Sequence, residues 1–188
     1  MNSAPDANVA AMVNNLMLHL EAIDLCLKNQ FIVPTLILIY SGIDSVAWLG
    51  LPPDKDDVGR KNFIDWADNY MECEQKLGVR GIDLYAARCG VLHTHTADSR
   101  LSREQSATRI FYANGDRDPD EANAINRQLG LSEVVIKIED LFGAFSHGLN
   151  RFGEAVTANK ELEASVLSRC GKGFGKYAEY PGSQNLLP

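Results

Sequence analysis

The sequence predicts a mainly α-helical fold: a helical bundle with a small two-stranded β elaboration in its second half. Three observations lead there. Apolar residues recur at three- and four-residue steps through most of the first hundred positions. Two short runs rich in β-branched and aromatic residues follow residue 106, and the helical period returns from Leu141 onward. A chain of 188 residues is long enough to bury a real core as one domain. The expected organisation is a single domain over 1–170, comprising a bundle over 1–96 and a β-hairpin and helical elaboration over 107–170, with 171–188 as a flexible C-terminal tail.

From Asn8 to about Lys28, Val9, Met12, Val13, Leu16, Leu20, Ile23 and Leu27 fall on one helical stripe. A second helix is expected from near Pro34, which a first turn tolerates, to Trp48, before Gly50-Leu51-Pro52-Pro53 stops it. The two should form an antiparallel hairpin. Phe63, Trp66, Ala67 and Tyr70 mark a third, shorter helix, and a fourth is expected over about Ile82 to Leu92. Residues 107–112 and 133–138 read as strands that pair. Between them Asp118-Pro119 suits a helix start and Gly130 a helix stop. Leu141, Phe142, Phe145, Leu149, Phe152 and Val156 mark a long amphipathic helix that packs back on the bundle, and a short helix over about 161–169 completes the fold.

The formal net charge of −7 excludes a generic nucleic-acid coating function, because the surface as a whole repels polyanions. Lys55, Arg60, Lys61, Arg80, Arg88, Arg100, Arg103 and Arg109 nevertheless share the central stretch, where a mixed, solvated surface is expected. Cys26, Cys73, Cys89 and Cys170 form no Cys-x-x-Cys pair and point to reduced thiols. The N-terminus lacks a basic region followed by an apolar core, and the apolar run 31–40 is too short to span a bilayer, so a cytoplasmic protein without membrane attachment is expected. Gly171-Lys172-Gly173-Phe174-Gly175-Lys176 lacks the spacing and the Ser or Thr of a P-loop.

The chemistry-bearing run is Arg88-Cys89-Gly90-Val91-Leu92-His93. Arginine holds a phosphate through two parallel hydrogen bonds and stabilises its added transition-state charge, while histidine exchanges protons near neutral pH. Together they suit phosphodiester cleavage, and RNA supplies its own 2′-hydroxyl nucleophile, so neither metal nor cofactor is required. Five residues on an ideal helix separate two side chains by roughly 140° and about 7.5 Å along the axis. The pair therefore converges only where the helix ends, or where a second copy brings its own pair across a two-fold axis. Gly90 within the run would permit close approach of another helix.

This run, within Leu84-Tyr85-Ala86-Ala87-Arg88-Cys89-Gly90-Val91-Leu92-His93 and preceded by long helices bearing Tyr40-Ser41-Gly42-Ile43-Asp44, resembles the HEPN superfamily. Ribonuclease members of that superfamily carry Arg, four to six residues, then His near the end of a helix. The resemblance implies a HEPN-like bundle over the first half of the chain, a homodimer with facing motifs, and metal-independent RNA cleavage by Arg88 and His93. Asp44, Ser41, Cys89 and His95 are candidate supporting residues, and an antitoxin-like protein is a candidate partner.

Other readings belong beside this one. Arg88 would equally serve in a salt bridge to Asp83 or to an acidic residue of a neighbouring helix, and His93 as a residue favoured by the helix macrodipole. Asp44 and Ser41 are expected to pair or cap within the bundle. Cys89, His93, His95 and Asp98 are legitimate zinc ligands, but three of them crowded within seven residues oppose tetrahedral geometry. His19 and His147 read as surface or packing histidines, and Tyr40, Trp48, Trp66 and Tyr70 as core rather than as a base-stacking platform. The alternative to a ribonuclease is a non-catalytic helical module that binds protein or RNA.

Overall fold

The computed structural model describes residues 7–172, so most of the expected C-terminal tail lies outside the described residues. The helices are α1 (Ala7–Lys28), α2 (Ile32–Leu49), α3 (Arg60–Tyr70), α4 (Cys73–Leu77), α5 (Gly81–Thr94), α6 (Arg100–Arg103), α7 (Asp120–Gln128), α8 (Ile138–Ala158) and α9 (Lys160–Cys170). The strands are β1 (Arg109–Ala113), before α7, and β2 (Glu133–Lys137), after it. The mainly helical architecture with a small two-stranded sheet is as the hydrophobic period predicts. The single-turn helices α4 and α6 carry too few residues to show a period.

Helix α2 is the centre of the bundle. Nine of its 18 residues are buried, and it packs on α1, α3, α5, α8 and α9. Pro34 sits in its first turn, where the missing N–H removes no helical bond. The turn at residues 29–31 reverses the chain, and His19 Nε2 meets Leu38 O at 2.9 Å, so α1 and α2 form the expected antiparallel hairpin. Helices α1 and α2 are each long and apolar enough to cross a membrane by length and composition, but half of α2 is buried within the bundle. In α1 only Ile23 is buried, and Val13, Met17, Leu18 and Leu25 stand exposed.

The expected β-hairpin is corrected. Strands β1 and β2 run parallel, with Arg109 opposite Glu133 and Ala113 opposite Lys137. The intervening helix carries the chain back to the starting end of β1, so the second strand must enter in the same direction. Asn123 on α7 donates from Nδ2 to Val135 O and accepts from Val135 N at Oδ1, each at 2.8 Å, which satisfies backbone groups that the short sheet leaves unpaired.

Two contacts fix helix α5. Asp83, 3% exposed at its side chain, accepts the backbone N–H of Arg80 at the helix start and that of Thr108 just before β1, at 2.9 and 2.8 Å. Arg80 closes over the same carboxylate through Nε and Nη2. Burial pushes the Asp83 carboxyl up, but these hydrogen bonds and the Arg80 charge outweigh it and hold it below the usual range. At Gly81, a Cβ would stand 2.7 Å from Asp68 Oδ1 and 2.8 Å from Ile64 O, so only glycine lets α5 lie this close to α3.

Candidate functional site around Arg88

Arg88 lies in the third turn of α5 and reaches across to α2. Its Nε donates to Asp44 Oδ2 at 2.9 Å, its Nη2 lies 2.8 Å from the same oxygen, and its guanidinium carbon sits 5.9 Å from the centre of the Tyr85 ring. Both partners of the ion pair are partly buried, with side chains 22% and 19% exposed. Of the two salt-bridge partners considered for Arg88, the structure selects the acid of a neighbouring helix, while Asp83 serves Arg80. Burial pushes the Asp44 carboxyl above its usual range, with Arg88 offsetting part of that, while Arg88 stays firmly charged. Asp44 holds the Nε edge and Cys89 also hydrogen-bonds the guanidinium, which leaves the rest of its five N–H groups for other acceptors.

The candidate residues do not gather into one cluster. His93 lies in the last turn of α5 and is exposed; the helix continues to Thr94, so its direction still follows the helical period. Arg88 and His93 of one chain therefore point roughly 140° apart. His95 follows as the helix cap, with φ of 54° and an exposed ring. Ser41 donates to Leu38 O within α2, and Asp44 is taken by Arg88, so neither orients His93. Cys89 is half-buried beside Tyr85 and Arg88.

The expectation that Gly90 admits a helix of another molecule is corrected. A Cβ there would lie 2.5 Å from Thr96 O and 2.9 Å from Asp98 O, so the space is filled by the chain's own turn after α5. Thr96 N and Thr94 Oγ1 both donate to Gly90 O, folding that turn back onto the helix.

Two arginines carry roles that their place in the sequence did not single out. Arg60, at the start of α3, stands 5.8 Å from the centre of the same Tyr85 ring and forms no ion pair with a described residue. By contrast Lys61, Arg80, Arg88, Arg100 and Arg109 each pair with an acid, so most of the central basic run is neutralised, as expected of a mixed surface. Arg169 on α9 is buried. Its Nη1 donates to Leu51 O at 2.6 Å, and its Nη2 to Pro52 O and Lys55 O at 2.7 and 2.5 Å. Its guanidinium covers the Trp48 ring at 5.5 Å. A lone Arg in the stripe Ser165, Val166, Arg169, Cys170 is its only trace in the sequence. A cavity of about 360 Å³ opens between these groups, lined by Met12, Asp44, Trp48, Val58, Arg169 and Lys172 among others.

Among the described residues no three His, Cys, Asp or Glu side chains are placed to hold a metal ion, so Cys89, His93, His95 and Asp98 do not form a zinc site. Cys26, Cys73 and Cys89 are free thiols. Burial pushes Cys73 up to about 12, which leaves it unreactive at neutral pH. His147 pairs with Glu72 at 3.1 Å, and His19 with a backbone carbonyl, as ordinary packing histidines do. Compared with protein-family models, with curated proteins and with solved structures, the chain matches none.

Proposed function

We propose that this protein is a metal-independent endoribonuclease of the HEPN type, working as a cytoplasmic homodimer. The observation that carries the reading is the presentation of Arg88. It is held by Asp44 on one edge and Tyr85 on a face, with N–H groups left for an anion, and a second cation, Arg60, stands over the same ring. Such a guanidinium is oriented before it meets an anion, so little entropy is lost when a phosphate binds. His93, exposed and on the same helix, supplies the proton exchange.

One chain separates the two groups, so the reacting site is composite: Arg88 from one protomer would meet His93 from its partner. The end of the molecule that bears the histidines supports such an arrangement. A cavity lined by Val33, Val91, His95, Phe111 and Tyr112 opens there, and Phe31, Val33 and Phe111 are exposed around it. In the reaction, the ribose 2′-oxygen attacks the adjacent phosphorus as His93 takes its proton. The bond from phosphorus to the 5′-oxygen breaks, that oxygen takes a proton from water, and a 2′,3′-cyclic phosphate remains. Arg88 carries the charge that accumulates on the non-bridging oxygens.

The test is cleavage of labelled RNA with and without EDTA, with analysis of the product ends. Chelator-insensitive cleavage leaving cyclic phosphates is the expected result. Cleavage abolished by EDTA and restored by zinc would overturn the mechanism. A second reading, a non-catalytic module that binds protein, such as an antitoxin-like partner, is favoured by the exposed apolar residues Val13, Met17, Leu18 and Leu25 of α1. It predicts no RNA cleavage under any condition.

A further inference from the structure

The cavity beside Asp44 has a chemistry of its own. Its walls are apolar where Met12, Trp48, Leu49 and Val58 line it, and polar at Asp44, Ser45, Arg169 and Lys172. At about 360 Å³ it falls within the size range of small-ligand sites.

The polar groups restrict what can enter. Arg169 gives Nη1 and Nη2 hydrogens to the carbonyls of Leu51, Ser165, Pro52 and Lys55, so its in-plane donors are almost all spent and it cannot grip a phosphate. What it still offers is a flat, cationic surface backed by Trp48, and guanidinium planes and indoles are both surfaces on which nucleobases stack. Ser45 donates its hydroxyl hydrogen to Ser41 O and has only acceptor capacity left. Asp44 gives Oδ2 to Arg88, while its Oδ1 takes no hydrogen bond from a described residue. Inside the cavity the uncommitted groups are therefore acceptors, and the cation Lys172 belongs to its exposed rim.

A base matching this lining must present hydrogen-bond donors side by side. Guanine does so with N1–H and the 2-amino group. Adenine and cytosine set one amino group beside an acceptor nitrogen, which a carboxylate repels, and uracil sets one N–H between two carbonyls. We propose that this cavity is a base subsite for a guanine nucleotide, with Asp44 Oδ1 accepting from the guanine edge, the Trp48–Arg169 pair as its flat wall, and Lys172 near the phosphate. The inference deepens the ribonuclease reading and rests on it for its biological sense: Asp44 joins the base subsite on one oxygen to the phosphate-binding Arg88 on the other, so guanosine would sit next to the bond that breaks.

Isothermal titration of the full chain with 5′-GMP, IMP, AMP, CMP, UMP and inorganic phosphate tests the subsite without any cleavage. GMP should bind saturably. IMP, which lacks the 2-amino group, should bind about tenfold more weakly, and the other nucleotides more weakly still, in line with the loss of a hydrogen bond to a charged acceptor. Ser45→Phe, which fills the cavity and spares Arg88, Asp44 and His93, should abolish GMP binding. If that variant fails to fold, Val58→Trp, at another lining residue, makes the same test. Equal affinity for all the nucleotides, phosphate binding as tight as GMP, or undiminished GMP binding in a folded cavity-filled variant would overturn the proposal. The two readings fail separately: RNA cut without regard to guanosine overturns the subsite alone, whereas GMP bound while RNA stays intact supports the subsite and overturns the nuclease.

Discussion

Replacing Arg88 by lysine separates charge from geometry at the proposed site. Lysine keeps the positive charge and can reach Asp44 with one hydrogen bond, but it loses the planar fork whose Nε and Nη2 lie 2.9 and 2.8 Å from Asp44 Oδ2. Because both side chains retain about a fifth of their exposure, solvent screens the pair, and the loss of one charge-assisted bond should cost only about 1 kcal/mol of stability. Catalysis should suffer more. Losing one of two parallel bonds to the phosphoryl oxygens in the transition state should lower the rate about 10²-fold, or about 2.7 kcal/mol. The assay pairs initial rates on a fluorescent RNA with urea unfolding of the same preparations. Cleavage at the parent rate would show that the fork does no chemistry. A stability loss above about 3 kcal/mol would show that Arg88 acts as a buried structural ion, and the catalytic reading would fall.

Further outcomes follow from neighbouring contacts. Asp83→Asn should destabilise the fold by about 2–4 kcal/mol at pH 7, since it sets an amide against the N–H groups of Arg80 and Thr108. Asp83's folded-state pKa is depressed, so its contribution is complete above the unfolded value of about 3.9 and is lost as pH falls through the lower folded value; denaturant titrations should show the gap between variant and parent closing below about pH 4. Gly90→Ala drives a Cβ to 2.5 Å from Thr96 O and should cost about 1–3 kcal/mol; an unchanged melting temperature would contradict the packing of that turn. Sedimentation at micromolar concentration should find a dimer, and Phe111→Glu, at an exposed position beside the histidine end, should yield a folded monomer that no longer cleaves RNA. A strictly monomeric parent that cleaves RNA would remove the composite site.

The residues themselves determined the helices. Val9, Met12, Leu16, Leu20, Ile23 and Leu27 declare α1, and Leu141, Phe145, Leu149 and Phe152 declare α8, because burying one face of a helix leaves a period that neighbours along the chain record. The strands were legible in Ile110-Phe111-Tyr112 and Val134-Val135-Ile136 for the same local reason. Their parallel pairing was not, since direction depends on where α7 carries the chain in space. Arg88 and His93 could be picked out as chemical types at a spacing. Only the tertiary structure decided that Asp44, forty-four positions earlier, holds Arg88, that Arg60 shares Tyr85 with it, and that Gly90 houses its own chain. It also decided that Arg169 closes a cavity with Trp48 and Asp44. A periodic pattern tells which face of a helix is buried but not which neighbour buries it; that choice is made by the packing of all the helices together, and the site lies in the contacts it creates.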